Sequence, residues 1–498
     1  MPMLTMVLLL HSSSDAHALE CATNRFMHAI RVAEPVPAPT PPPAAGKAQR
    51  EAHGACAGSI ETENFVLKWG SDEVPDAASL EAIADSLEVS WRHHFGEMGH
   101  SMPYGTETHL FNVYVGDSGD CAPSALGAGG YYTVDPDGWP MIVLSQQVFG
   151  DPLRGRSTAA HELYHAVQHA EEAYLTNPAA QWWWEATASW VEGEVYPGNA
   201  GYFTFLFGYA FEPHRQLNSY LYPSEGRLEE YHQYGAAIWP RYLTEFVTDW
   251  VTIRDSWSMA DAADDPINVV AELLGEPLDE HFADFAAHNA TWDYADGDAM
   301  EELLDRVALL DQFPGRDKRI AATHDGKGTG TDWAQPPEAL LPQRYGYNVI
   351  RLAQPDRGTV TARFFGDSAG SEGSASRWSV RVVRVVAGQV EYTAVPLVDG
   401  GGETTIAVDG TEPAVYLVVS VTSPQWDTRE TFDYEYQLEV STDESGSGGL
   451  GAIDMDSIPS AIETKMPPAG CQCSTSTSRP WGWALLVPLM ALVRRHAR

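Results

Sequence analysis

Apolar and polar positions alternate over residues 64–69 (NFVLKW), the pattern of a half-buried strand. From Ala77 to Phe95, the apolar residues Leu80, Ile83, Ala84, Leu87, Val89 and Trp91 recur mostly at three- and four-residue steps, which predicts a helix packed on a sheet. A second strand is expected over residues 110–115. Two more, over 131–134 and 139–144, flank Asp135-Pro136-Asp137-Gly138, whose turn chemistry predicts a hairpin. Asp135 and Asp137 are also candidate calcium ligands, although a plain turn is the commoner use of such a sequence. Between Ser157 and about Leu310 the spacing is helical, interrupted at Tyr196-Pro197-Gly198 and Gly275-Glu276-Pro277.

Beyond the glycine-rich stretch 326–330 the pattern changes to short runs rich in Val, Tyr, Thr and Phe. They cover residues 347–352, 360–365, 378–386, 390–395, 415–421 and 432–440, separated by Gly, Asp and Ser clusters. The expected fold class is therefore α+β. A domain with a mixed sheet and helices (residues 56–325) precedes an antiparallel β-sandwich domain (residues 340–442).

The ends differ in character. Residues 4–10 are apolar and lead to Ala16-His17-Ala18, the small-x-small form cut by signal peptidase, so residues 1–18 read as a signal peptide, although no Lys or Arg precedes the apolar run. Residues 19–55 read as a linker dominated by PVPAPTPPPAAG, which favours extended polyproline conformation, and folded structure is expected to begin near Cys56. Residues 443–470 form a second linker. After it, Gly470-Cys471-Gln472-Cys473 is followed by Ser/Thr, by an apolar run over 481–493 and by Arg494, Arg495 and Arg498. That run spans about 20 Å as a helix, short of the roughly 30 Å hydrocarbon core, so it is a marginal membrane segment. The order of features over residues 471–498 resembles the C-terminal sorting signal of exported myxobacterial proteins. This resemblance implies surface anchoring with membrane contact before processing, and a simple tail anchor is the alternative.

Charge and cysteine content narrow the function. With 69 acidic against 30 basic residues, a formal charge of −39, the surface repels a phosphate backbone, which excludes a nucleic-acid partner. Cys21, Cys56, Cys121, Cys471 and Cys473 show no C-x-x-C spacing of a structural zinc site. Cys56 and Cys121 flank the first strands and are disulfide candidates. Cys21 competes for either, and spacing does not decide the pairing.

The strongest chemical signal is HELYH, residues 161–165, within TAAHELYHAVQHA, a stretch of good helix formers. Four residues of helix separate His161 from His165 by about 40° in azimuth and about 6 Å along the axis, so both imidazoles reach one metal ion. Glu162 projects beside them as a base for a water molecule. His169 is carried about 12 Å from His161 on a straight helix and cannot join them; Gln168 and His169 are expected to pack or meet substrate. The third ligand is sought in QWWWEATASWVEGEV, where Glu185 and Glu192 lie on nearly the same helix face. Trp182, Trp183 and Trp184 either line a cleft or anchor this helix.

HELYH followed after 19 residues by E-A-x-A-x-W-x-E resembles the gluzincin zinc metallopeptidases, and the zincin-like fold follows from that resemblance. It implies His161, His165 and Glu185 as ligands of Zn²⁺ and Glu162 as general base, with Glu192 a rival ligand or an orienting partner. Ser189 stands where several gluzincins carry an acid that orients a zinc histidine, so that role must be filled from elsewhere. The resemblance also implies a Tyr or His as oxyanion donor, for which Tyr231, His232 and Tyr234 are candidates and Tyr234, beside Gly235, is preferred.

The expected function is a secreted or surface-anchored zinc endopeptidase acting on proteins or peptides. The alternatives are a surface adhesin with a non-catalytic zinc, or a hydrolase of another bond. Asp293, Asp296 and Asp298 in DYADGD are weaker calcium candidates that lack EF-hand spacing.

Overall fold

The computed structural model describes residues 21–33, 46–309, 320–321, 328–424 and 430–442, apart from 73 and 224. The expected signal peptide, nearly all of the proline-rich stretch, the second linker and the C-terminal tail lie outside them. No helix among the described residues is long and apolar enough to cross a membrane.

Strands β1 (Gly58–Glu61), β2 (Phe65–Trp69), β3 (Phe111–Val115), β4 (Gly130–Val134) and β5 (Pro140–Leu144) form one mixed sheet in the order β1-β2-β3-β5-β4. β2, β3 and β5 run parallel, and β1 and β4 are antiparallel edge strands. Every residue of β3 and β5 is buried, as parallel strands covered on both faces require. The hairpin between β4 and β5 forms as the turn residues predict. Asp135 Oδ1 accepts from the N–H groups of Asp137 and Trp139, while Arg50 pairs with the carboxylates of both Asp135 and Asp137.

The helices begin with α1 (Met27–Val32), α2 (Ala77–Trp91), α3 (Pro152–Ala170) and α4 (Gln181–Val195). The Asp76 side chain caps α2 by accepting from Ser79 N–H. Leu80, Ile83, Ala84, Leu87 and Trp91 of α2 are buried, whereas Val89, expected on the same stripe, is exposed. α3 packs on α2 near Gly155, where an added Cβ would lie 2.7 Å from the Val148 carbonyl oxygen, a backbone atom that cannot give way, and 2.5 Å from Ile83 Cδ1. The longer of the further helices are α5 (Trp250–Ser258), α6 (Pro266–Leu274), α7 (Asp279–Asn289) and α8 (Gly297–Ala308), and short ones cover Gln146–Phe149, Leu206–Ala210, His232–Gly235 and Ile238–Tyr242.

Two antiparallel sheets follow. One has the order β10-β9-β13-β7-β6 and the other β11-β12-β8-β14. The strands are β6 (Ile320–Ala321), β7 (Gly346–Ala353), β8 (Gly358–Gly366), β9 (Arg377–Val386), β10 (Gln389–Ala394), β11 (Leu397–Val398), β12 (Gly401–Val408), β13 (Ala414–Thr422) and β14 (Tyr434–Thr442). Within the first of these sheets β6 pairs parallel with β7. β8 alternates buried and less buried residues because one of its faces is solvated. β13 does not alternate, since Val415, Leu417 and Val419 face the sandwich core while Val418 belongs to the core of the helical part. Arg377 and Arg381 of β9 pair with Asp279, Glu280 and Asp284 of α7 across the same junction.

The N-terminal segment corrects two expectations. Folded structure is present well before Cys56, within the supposed linker, from Cys21 to Ala33 among the described residues. Ala22 N–H donates to Gly130 O at 2.9 Å, a 3₁₀ turn (Thr23–Phe26) follows, and α1 buries Met27 and Ile30. Phe26 stacks on Tyr131 with ring centroids 4.5 Å apart. A six-residue helix with two buried side chains leaves too little periodicity to outweigh the prolines that follow it. Nor does Cys21 compete for a disulfide: Cys56 bonds Cys121, and Cys21 is a buried free thiol.

Candidate metal centre

α3 starts sharply. The Asp151 carboxylate accepts from Leu153 and Arg154 N–H, and Pro152 takes the first helical position, where its missing N–H costs nothing. The helix then runs unbroken through His161, Glu162, His165 and Gln168, which are all buried. α4 follows a short turn (Pro178–Ala180) capped by Asn177 and brings Glu185 against α3.

One imidazole nitrogen from each of His161 and His165, one Glu185 oxygen and Cys21 Sγ converge, all within 4.8 Å of one another. This buried Cys, His, His, Glu cluster could hold a metal ion. Glu185 Oε2 lies 3.3 Å from His161 Nε2 and 3.7 Å from His165 Nε2, and Cys21 Sγ lies 3.3 Å from His165 Nε2. Donors bound at about 2.0–2.3 Å around one tetrahedral ion lie about 3.3–3.6 Å apart, and these three separations of 3.3, 3.7 and 3.3 Å are of that order.

The outer nitrogens of both histidines are held. His161 Nδ1 is 3.0 Å from Glu192 Oε1, so Glu192 orients a histidine and supplies the acid that Ser189 does not. His165 Nδ1 is 2.6 Å from Gln168 Oε1. Gln168 Nε2 donates to Trp184 O at 2.8 Å and to Thr187 Oγ1 at 3.0 Å. Because a carbonyl can only accept, the amide orientation is fixed, His165 carries its proton on Nδ1, and Nε2 turns a lone pair towards the cluster. Trp184 lies flat beside the His165 ring at 6.2 Å, and all three tryptophans are buried, so they anchor α4 and line no cleft.

Glu162 stands outside the donor set but beside it. Its Oε2 is 3.3 Å from Cys21 Sγ and accepts from Thr23 Oγ1 at 3.2 Å. Burial, reinforced by the Glu185 charge, pushes its carboxyl up to about 7 against the pull of His161. Burial alone would lower His161, yet its hydrogen bonds to Glu185 and Glu192 push it up to about 10, whereas burial and the His161 charge hold His165 well below the ordinary range.

Tyr234 is brought to the site. Its O–H donates to Cys21 O at 3.1 Å, and its ring centroid is 6.4 Å from that of His161. His232 and Tyr231 are not: His232 Nε2 bonds Gln216 O, and Tyr231 stacks on Phe205. His169 bonds Tyr132 O–H at 2.6 Å and lines a cavity of about 330 Å³ with Tyr104, Pro140 and Glu172. Asp293 accepts from Tyr392 O–H and Asp296 from Tyr202 O–H, so these acids tie elements together. Sequence reasoning missed Cys21, which it had assigned to a linker, and the specific work of Gln168. The signal for the latter was its position three residues after His165, one helical turn on.

A family model described as "Family of unknown function (DUF6055)" matches residues 43–445. No curated protein matches the chain. Among solved structures, a family GH115 4-O-methyl-α-glucuronidase with specificity for decorated arabinogalactans is similar at 10% identity and a TM-score of 0.13, over 59% of this chain and 42% of that one. The chain thus spans less than half the length of that enzyme, and a likeness at this level carries no functional argument.

Proposed function

This chain belongs to the DUF6055 family, and we propose that it is an exported zinc-dependent endopeptidase of zincin-like fold. The observation that carries the reading is the pairing of His161, His165 and Glu185 at zinc-ligand spacing with a carboxylate, Glu162, that touches the fourth donor position without belonging to the set. When bound, zinc would supply Lewis acidity, bringing the pKa of a coordinated water to around 7 and polarising a carbonyl.

The chain's own residues divide the remaining work. Glu162 Oε2 is within hydrogen-bond reach of whatever occupies the Sγ position, so it takes a proton there from water and returns it to the leaving amine. Tyr234 O–H already donates to a peptide carbonyl, that of Cys21, and offers the same hydrogen bond to a scissile carbonyl. Edge strand β4 presents backbone groups to an extended peptide, as its pairing with Ala22 illustrates. Glu192 and Gln168 hold the two histidines in ligating orientation. The Cys56–Cys121 disulfide supports an oxidising, exported location.

One observation favours a second reading. Cys21 makes the donor set four, as in a closed structural zinc site, which suits an adhesin. The test is a peptide-library digest by the zinc-loaded chain, with and without a chelator, alongside Glu162→Gln. Chelator-sensitive cleavage lost in Glu162→Gln with zinc still bound supports the peptidase; cleavage that survives the substitution refutes it.

A further inference from the structure

Residues 21–23 reach the metal-donor cluster, the base, the carbonyl donor and the sheet edge of the proposed chemistry. Cys21 Sγ is a member of the metal-donor cluster and sits 3.3 Å from Glu162 Oε2. Thr23 Oγ1 donates to the same Glu162 oxygen at 3.2 Å and accepts from Tyr132 N–H at 2.8 Å. Cys21 O takes the hydrogen bond of Tyr234, and Ala22 N–H pairs with Gly130 O at the edge of β4. The metal corner, the base, the carbonyl donor and the substrate edge are thus all engaged by three consecutive residues.

The same segment is fastened to the body by side chains that take no part in chemistry. Met27 and Ile30 are buried, and Phe26 stacks on Tyr131. Cys21 also lies outside the span matched by the family model, residues 43–445, whereas the other three donors lie inside it.

We propose that Cys21 is the fourth metal ligand and that residues 21–32 are a self-inhibitory latch. The thiolate fills the coordination position that a reacting water needs, and the flanking backbone fills the place of an extended peptide. The site opens when the segment leaves. The inhibitory consequence rests on the metallopeptidase reading above; the ligation does not.

The test uses the full chain loaded with cobalt(II), compared with Cys21→Ser. A sulfur-to-cobalt charge-transfer absorption is expected in the parent and lost in the variant. Acetohydroxamate, a small metal-binding probe, should perturb the cobalt d–d bands of Cys21→Ser at concentrations at least tenfold lower than in the parent. Hydrolysis of a reporter peptide should rise at least tenfold. Ile30→Glu, which undocks the segment while leaving the thiol in the chain, should open the site in the same direction, and it stands in if Cys21→Ser does not fold. Absence of the thiolate absorption from the parent, or equal acetohydroxamate binding by parent and variants, overturns the latch. If the probe gains access but no variant cuts peptides, the ligation by Cys21 stands and the peptidase reading falls, with its inhibitory consequence. If parent and variants cut equally well and bind the probe equally, the peptidase reading stands and the latch falls.

Discussion

Replacing Gln168 with Leu removes the device that presents His165 to the metal while nearly preserving side-chain volume. In the native chain the amide oxygen takes the His165 Nδ1 proton at 2.6 Å, and the amide nitrogen is tied to Trp184 O and Thr187 Oγ1. Both His165 and Gln168 are fully buried, so no water replaces the lost acceptor. Thr187 Oγ1 keeps its bond to Trp183 O, and Trp184 O keeps its place in the helix ladder, so the main orphan is one imidazole N–H. An orphaned buried donor costs about 1–3 kcal/mol of stability. Loss of an outer hydrogen bond to a ligating histidine typically weakens metal affinity 10–100-fold, about 1.4–2.7 kcal/mol. Zinc affinity is read by competition with a chromogenic chelator at neutral pH, and the fold by near-UV circular dichroism. A folded Gln168→Leu protein whose zinc affinity stays within about threefold of the parent would refute the assignment of Gln168 as the residue that orients His165.

Two further outcomes are expected. Tyr234→Phe removes the hydroxyl that donates to the Cys21 carbonyl; peptide hydrolysis by the opened enzyme should fall about 10²–10³-fold in kcat with zinc affinity unchanged, and a loss confined to KM would assign Tyr234 to substrate binding alone. Glu171 is held below its ordinary value of 4.5: burial raises it, but hydrogen bonds from His100 and from Ser101 N–H and O–H outweigh that. A carboxyl with a depressed folded pKa contributes stability that is full above the unfolded value and lost as pH falls through the folded one. Glu171→Gln should therefore cost on the order of 1–3 kcal/mol in urea unfolding at pH 7, with the difference shrinking below about pH 4, and a pH-independent difference would contradict the assignment.

What the amino-acid sequence determined by itself is local. The interval between His161 and His165 dictates a shared helix face whatever surrounds it, and the turn chemistry of Asp135-Pro136-Asp137-Gly138 dictates a hairpin that the structure contains. The pattern of β8 was readable because one of its faces is solvated, and the alternation of burial records that directly. β13 reads as a plain apolar run, since both of its faces are buried and periodicity vanishes when neither side is wet. The third donor was narrowed by the spacing of a second helix to Glu185 or Glu192 and chosen only through the resemblance to gluzincins, because no local rule says which helices meet.

Tertiary structure alone decided the rest of the centre. Gln168 and Glu192 acquire their roles only where α3 and α4 pack, and whether a buried polar side chain orients a ligand or merely satisfies itself depends on which partner faces it. Cys21 is the extreme case, 141 residues from the Glu162 carboxylate and 144 from the His165 imidazole that it meets. Composition placed it in a linker, and a short helix with two anchoring side chains placed it in the site. Periodicity reports how a segment divides its own faces between core and water. It carries no information about which distant backbone edge that segment will find, and here that edge, β4, carries the fourth donor to the other three.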